Sequence, residues 1–303
     1  MSSPGPEPPT FDISVQATPD NIYGYIPSKT SALAFIVLFG LATLLHTGAA
    51  IKKKMWFLFP TVILCGVLET VGWSGRLWSH YEPYSIPAFQ LQIVTLITAP
   101  TPLLAANFVI FGRIIRALGT NYSRLRPRMY TIIFVTCDVI SLAIQGGGGG
   151  IAATAEGLEA ANRGGNIMLG GIAFQLFVIV VYSILAVEYI VRYNNDWAVS
   201  KSVGPDDKTY TPRGQMTKNT KLMLFALLFN TLCLFVRAIY RAVELAEGWA
   251  GEIIQTELYF DILDGTMIVL AIYAFIFGHP GCLLQQEEVS EKEKQSSSRA
   301  STA

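Results

Sequence analysis

The sequence predicts an all-α membrane protein, a bundle of seven transmembrane helices. Charged residues are 15% of the 303-residue chain and the mean hydropathy is +0.42, whereas soluble domains carry about 25% charged residues. Seven apolar runs are each long enough to cross roughly 30 Å of hydrocarbon. Basic residues are concentrated in alternate connections, as expected for a chain that crosses a membrane repeatedly.

The chain divides into a transmembrane domain and two polar tails. Residues 1–29 are Pro-rich and lack hydrophobic periodicity, which predicts a disordered extracellular tail. The domain covers 30–277, and residues 278–303 are acidic and Ser-rich, which predicts a disordered cytosolic tail. The predicted spans are 30–51, 55–77, 87–112, 129–150, 166–191, 221–246 and 256–277.

Two spans contain residues that disturb helices. Pro100 and Pro102 in the third span predict a kink or a break in that helix. The fourth span ends in a run of glycines from Gly146 to Gly150, which we interpret as a frayed helix end or a hinge.

The distribution of lysine and arginine predicts the orientation. Seventeen of the 22 basic residues lie in the first, third and fifth connections and the C-terminal tail. Only two, Lys29 and Arg163, lie on the other side, and three lie within spans. Because cytosolic loops carry the excess of basic residues, we expect the N-terminus outside and the C-terminus in the cytosol.

Several function classes lack the residues they need. The chain has three histidines, at positions that cannot meet at one depth, so we expect neither a metal site nor an intramembrane metal hydrolase. It carries no mid-membrane lysine for a Schiff base and no nucleotide-binding motif. A net charge of zero argues against nucleic acid as a partner. We therefore expect no cofactor and no enzymatic activity.

The sixth and seventh predicted helices carry charged residues spaced i, i+4 and i+7, which share one helix face. A short connection makes these helices antiparallel neighbours, so an arginine face is able to meet a carboxylate face. Ionised side chains are costly in lipid and usually face the bundle interior, where they mark functional sites. The residues are Arg237, Arg241 and Glu244 in the sixth helix and Glu257, Asp261 and Asp264 in the seventh.

Polar residues of four other helices are expected at a similar depth. At a rise of about 1.5 Å per residue, they fall in the outer half of the membrane together with the charges above. We therefore predict a substrate-binding cavity that opens toward the outer leaflet between helices 2, 4, 6 and 7. The additional candidates are Glu69, Arg76, Gln90, Asp138, Gln145 and Gln175.

The charged residues have two interpretations. In the structural interpretation, ion pairs between arginines and carboxylates hold the helices together. Against a purely structural role, five carboxylates face three arginines even without the boundary residue Glu257, and burying unpaired anions is expensive. Protonation of some carboxylates, water in the cavity or a bound cationic head group would each reduce the cost of the excess of carboxylates over arginines.

The polar landmarks occur in an order that resembles a known family. These landmarks are Glu69 with Gly72-Trp73 and Gly75-Arg76, Ala99-Pro100 with Ala105-Ala106 and Gly112-Arg113, Asp138 with Gln145, Gly170-Gly171 with Gln175, Arg237 with Tyr240-Arg241, Glu244 and Gly248, Glu257 with Tyr259 and Asp261, and His279-Pro280-Gly281. On these residues the chain resembles, over about residues 56–281, the fungal lipid-translocating exporter family, which includes the sphingoid long-chain base and aminosterol resistance proteins.

The resemblance implies transbilayer movement or export of amphipathic lipids, and resistance to toxic amphiphiles. The expected partners are membrane lipids and an amphipathic small-molecule ligand. The alternative is a receptor-like seven-helix lipid sensor, or a regulator of lipid asymmetry, without transport of its own, and such a protein would need a cytosolic regulatory partner. The implied location is the plasma membrane, with a vacuolar or other endomembrane location as the alternative. The oligomeric state stays open.

Overall fold

The computed structural model describes residues 25–155, 157–199, 213–248 and 251–278. Within these ranges the chain is helical without strands, and seven helices are long and apolar enough to cross a membrane. The predicted all-α, seven-helix membrane fold is thereby confirmed. The orientation stays a prediction, and most of both predicted tails, 1–24 and 279–303, lies outside the described residues.

We label the seven membrane helices α1 to α7. Most of these helices extend beyond the predicted apolar runs, because the polar residues at their ends also take part in the helical backbone hydrogen bonds. The helices are α1 Lys29–Lys52, α2 Trp56–Tyr81, α3 Ile86–Leu118, α4 Pro127–Ala152, α5 Glu159–Asn195, α6 Lys218–Glu247 and α7 Glu257–Phe277.

Helices that are consecutive in the chain pack against each other, and α7 closes the bundle by packing on α6 and α1. The helix α3 also contacts α6 across the bundle. In its most apolar stretch 67% of α3 is buried inside the protein, against 28% of α1. Thus α3 forms the centre of the bundle, while α1 lies at its periphery with most of its surface outside the protein core.

The prolines of α3 interrupt its hydrogen bonding without ending the span. The helix consists of Ile86–Thr98 and Pro100–Leu118. Ala99 between them keeps helical dihedral angles, φ −57° and ψ −39°. Since proline has no backbone N–H, the ladder breaks at this point, as predicted, while the chain continues across the membrane.

The glycine run in α4 is not a frayed end, because α4 stays helical through Gly146–Gly150; a hinge at the run stays a prediction. A Cβ atom on Gly148 would lie 2.6 Å from the backbone nitrogen of Met168 and 2.7 Å from the carbonyl oxygen of Gly164. The backbones of α4 and α5 therefore touch at a position where a side chain has no room.

The seventh helix contains a π-helical segment that includes two of its three carboxylates. An α-helical turn, Glu257–Phe260, is followed by a π-helical segment, Asp261–Thr266, and by the α-helix Met267–Phe277. Such segments interrupt the regular 3.6-residue repeat and are frequent at functional sites. The repeat used to place Glu257, Asp261 and Asp264 on one face therefore does not hold along α7.

Candidate functional site

Asp264 of α7 binds both arginines of α6. Its carboxylate accepts two hydrogen bonds from Arg241, at 2.8 Å from Nε and 3.2 Å from Nη2. Arg237 Nε lies 2.9 Å from the same carboxylate, an ion-pair contact outside hydrogen-bond geometry. The Asp264 side chain is 1% exposed, so these charges interact with little screening by water.

Glu244 completes this group. Arg241 Nη1 donates to Glu244 Oε2 at 2.8 Å, and the hydroxyl of Tyr240 donates to Glu244 Oε1 at 2.9 Å. Arg237 Nη2 donates to the carbonyl oxygen of Leu96 in α3 at 2.8 Å. We call Arg237, Arg241, Glu244 and Asp264 the ion-pair centre; its two guanidinium groups balance its two carboxylates.

A second charged group lies where α2 meets the start of α7. Arg76 Nη2 is 3.0 Å from Glu257 Oε1 and donates to the Tyr25 hydroxyl at 2.7 Å. The guanidinium also lies over the ring of Phe260, 4.5 Å from its centroid. Burial raises the pKa of Tyr25, so its hydroxyl stays neutral. We call Arg76, Glu257 and Tyr25 the end cluster.

The segment before α1 takes part in this end cluster. The backbone N–H of Ser28 donates to Glu257 at 2.7 Å, and the carbonyl oxygen of Pro27 accepts from His80 at 2.8 Å. Because Tyr25, Pro27 and Ser28 show no hydrophobic periodicity, the sequence predicts that they belong to a disordered tail. The structure shows that hydrogen bonds to α2 and α7 order them. Hydrogen bonds between distant parts of the chain produce no local sequence pattern that could have predicted this.

Asp261 is not in the ion-pair centre. It is half-buried, and its charged neighbours are Arg76 and Glu257 of the end cluster. The arginine face of α6 therefore meets only Asp264, whereas Glu257 and Asp261 turn toward α2. The π-helical segment accounts for this division, because it changes the rotation between Asp261 and the residues that follow.

An amide cluster connects α4 with α5. Gln145 donates to Ser141 at 2.8 Å and to Gln175 at 3.1 Å. Gln175 reaches Asp138 at 3.5 Å, and Ser141 donates to the carbonyl oxygen of Gly171 at 2.6 Å. Asp138 is fully buried and meets neither arginine of α6 in these contacts; its Oδ2 atom has no hydrogen-bond partner among the described residues.

A small cavity separates the amide cluster from the ion-pair centre. Its volume is about 20 Å³, and Gln145 and Gln175 line it on one side, Arg237 and Arg241 on the other. This volume holds about one water molecule. The cavity lies among α3, α4, α5 and α6. The larger cavity expected between helices 2, 4, 6 and 7 stays a prediction.

Glu69 of α2 differs from the other carboxylates. It is 0% exposed, and neither of its oxygens has a hydrogen-bond partner among the described residues. Asp264, Arg237 and Arg241 are its charged neighbours. The indole N–H of Trp73, one turn along α2, interacts with this carboxyl without reaching hydrogen-bond geometry.

One predicted site residue is outside these groups, and a further polar cluster was missed as a site. Gln90 lies half-buried near the start of α3.

Asn107 donates to Asn230 at 2.9 Å and to Thr231 at 3.2 Å, and Asn230 donates to the carbonyl oxygen of Ala271 at 2.7 Å. The sequence feature that could have predicted this polar cluster is an asparagine within each of two apolar runs, the third and the sixth. The described residues include no cluster of His, Cys, Asp and Glu able to hold a metal ion.

Comparison with known proteins identifies the family. The profile of the RTA1-like proteins matches residues 62–287, which include every charged residue of the ion-pair centre. The chain belongs to the RTA1-like protein family. This agrees with the resemblance found in the sequence.

Three yeast relatives match most of the chain. The sphingoid long-chain base transporter RSB1 of Saccharomyces cerevisiae is 27% identical over 292 residues, 89% of this chain and 76% of the relative. Protein RTM1 is 26% identical over 85% of this chain and 91% of the relative. Protein RTA1 is 27% identical over 86% of this chain and 84% of the relative. No solved structure matches the chain.

Proposed function

We propose that this integral membrane protein is a transporter, not an enzyme, and that it moves amphipathic lipids with a cationic head group between leaflets. The observation that carries the proposal is a buried ion-pair centre with additional carboxylates around it. The 27% identity to a sphingoid long-chain base transporter supports the substrate class.

The charge balance favours a cationic ligand. The described core contains three arginines, Arg76, Arg237 and Arg241, and more carboxylates than these can neutralise. Asp264 and Glu244 are paired, whereas Asp138 and Glu69 have buried oxygens without hydrogen-bond partners. An amine passing through the bundle would find acceptors already present, which lowers the cost of desolvating its charge.

Passage of a head group requires the helices to separate. The cavity beside the ion-pair centre holds about 20 Å³, the room of a single water molecule. The contacts that would have to open are those of Asp264 with Arg237 and Arg241, and that of Arg76 with Glu257. In this proposal the amine pairs with a carboxylate of the core as these contacts open.

The test is a leaflet-exchange assay with a fluorescent sphingoid base in proteoliposomes. We expect the conservative Arg241→Lys variant, which keeps the charge and loses the two-pronged contact with Asp264, to slow exchange about tenfold. Arg163→Lys is the matched control, because Arg163 is 74% exposed and pairs with Glu159 one turn away on the protein surface. Its exchange should equal that of the wild type.

The same assay separates the alternatives. Binding of the probe without exchange favours the receptor-like sensor, and its cytosolic partner would then be sought. Absence of both binding and exchange for cationic amphiphiles contradicts the proposal and leaves the ion pairs as structural contacts.

For the location, we propose the plasma membrane. Fluorescence microscopy of a tagged chain in yeast distinguishes this location from a vacuolar or other endomembrane.

A further inference from the structure

We propose that Glu69 binds a proton, and that this proton decides whether Arg237 and Arg241 stay paired with Asp264. The inference deepens the proposed function, since it assigns a controlling proton to the same site. It rests on the position of Glu69 beside a group of charges that is already balanced.

The first step concerns the burial of Glu69. The side chain is 0% exposed and both oxygens are buried without a hydrogen-bond partner among the described residues. An ionised carboxylate in such a place would lose its hydration and gain no hydrogen bond in return, a cost of several kcal/mol. A neutral carboxylic acid avoids most of this cost. A proton also needs no extra volume.

The second step concerns the balance of charge. Arg237 and Arg241 face Asp264 and Glu244, two positive groups against two negative groups. With Glu69 protonated, the centre is neutral. When Glu69 releases its proton to water, a third carboxylate competes for the same two arginines. The centre then has two alternative pairings, with Asp264 or with Glu69, on different helices.

The third step concerns the other groups near Glu69. The titratable and charged groups that interact with it are Cys65 on α2, Arg237 and Arg241 on α6, and Asp264 on α7. The helix α1 contributes His46, whose Nε2 is engaged with the carbonyl oxygen of Ile272 at 3.0 Å. Within α3 the ionisable side chains, Arg113 and Arg116, lie near its end at Leu118, away from this level. Of the described carboxyls that interact with Arg237 and Arg241, Glu69 is thus the one that makes no ion-pair contact with them.

The consequence is a dependence of helix separation on pH. Protonated Glu69 leaves both arginines on Asp264, which joins α6 to α7. Ionised Glu69 draws an arginine toward α2 and loosens the contact between α6 and α7. Exchange of the lipid should therefore rise with pH, and a neutral residue at position 69 should keep the joined arrangement at every pH.

The experiment combines two measurements on purified full-length protein. Infrared spectra recorded across pH should contain a carboxylic-acid C=O band that titrates in the wild type and is lost in Glu69→Gln. Asp138→Asn is the matched control, because Asp138 is also buried with an unpartnered oxygen, on α4. This variant should retain the Glu69 band. A spectrum unchanged by Glu69→Gln overturns the proposal, whatever the transport result.

The second measurement is the exchange of the fluorescent sphingoid base. Wild-type exchange should rise at least about fivefold between about pH 5.5 and 8.5, as expected when one group must lose a proton. Exchange by Glu69→Gln should be slow and change less than about twofold over the same range, as expected when the titrating group is gone. Glu69→Asp keeps a carboxyl and should retain a pH response. A wild-type pH profile in Glu69→Gln contradicts the proposal.

The two proposals fail in different ways. A Glu69 band that titrates in a protein without exchange at any pH contradicts the transport function and leaves the proton site intact. Exchange without a titrating Glu69 band contradicts the proton site alone. Thermal unfolding of Glu69→Gln should be close to that of the wild type at low pH, because glutamine is neutral and has the shape of the protonated acid. A collapse of the fold in Glu69→Gln together with a wild-type stability that falls as the pH is lowered would contradict a neutral acid at this position and overturn the inference.

Discussion

Asp264 of α7 is joined by ion-pair contacts to both arginines of α6. One carboxylate, 1% exposed, contacts both arginines of α6, and the Arg241 contact uses two nitrogen atoms. Removing one partner of a buried ion pair is costly, because the remaining charge is left in a medium of low dielectric constant. Glu257 contacts Arg76 of α2 and Ser28 before α1, and the charged neighbours of Asp261 are Arg76 and Glu257, so neither carboxylate is placed to replace Asp264.

We expect Asp264→Asn to destabilise the protein by about 3–5 kcal/mol, because two buried arginines lose their common partner. Asp261→Asn should cost less than about 1 kcal/mol, since this half-buried side chain has its charged neighbours in the end cluster. Thermal unfolding in detergent, followed by circular dichroism, measures the difference. Equal stabilities of the two variants would contradict the assignment of Asp264 as the shared partner.

The two glycines Gly148 and Gly164 determine how closely α4 approaches α5. Their backbones are near enough that a Cβ on Gly164 would lie 2.5 Å from the backbone nitrogen of Ala152. Backbone atoms cannot move aside as a flexible side chain would. Close approach of small residues is a common basis of helix association in membranes, where the hydrophobic effect between helices is absent. This contact also positions Gln145 opposite Gln175.

We expect Gly148→Ala to destabilise the protein by about 1–3 kcal/mol, the usual cost of adding a methyl group where there is no room. The neighbouring Gly147→Ala is the matched control, because a Cβ there meets nothing within 4 Å. Its stability should be unchanged or slightly higher, since alanine favours helices. Equal losses in both variants would indicate that the glycine run acts through flexibility and not through packing.

The bundle as a whole is a ring of consecutive helices around α3, with α7 closing on α1. The ion-pair centre joins α3, α6 and α7, whereas the end cluster joins α2, α7 and the segment before α1. Helix α7 therefore contributes to both charged groups. Under the proposed function, movement of α7 relative to α2 and α6 would break contacts of both charged groups and open the bundle between these helices.

The orientation of the whole molecule makes a separate prediction. In a variant without its four native cysteines, Arg163→Cys should react with a membrane-impermeant maleimide in intact cells. Lys52→Cys should react only after the cells are permeabilised, because the connection after α1 is predicted to be cytosolic. Both positions are exposed. The opposite labelling pattern would reverse the assigned orientation.

Local sequence features were sufficient for the membrane class, the number of helices and the family. Long apolar runs and few charges identify spanning helices, because a single apolar segment satisfies all its backbone hydrogen bonds within the bilayer by forming a helix. The same sequence identified most of the buried polar residues, since a charge inside an apolar run is conspicuous. Arg237, Arg241, Glu244 and Asp264 were all named as candidates on this basis, and the structure brings them together.

The partners of those residues depend on contacts between distant parts of the chain. A regular 3.6-residue repeat places Glu257, Asp261 and Asp264 on one face, but the π-helical segment divides them between α2 and α6. Likewise, the role of Tyr25 depends on an arginine 51 positions away. Only the packed bundle decides that Asp264 is paired and Glu69 is not, because the rotation and approach of neighbouring helices, and not spacing along one helix, determine which charges meet.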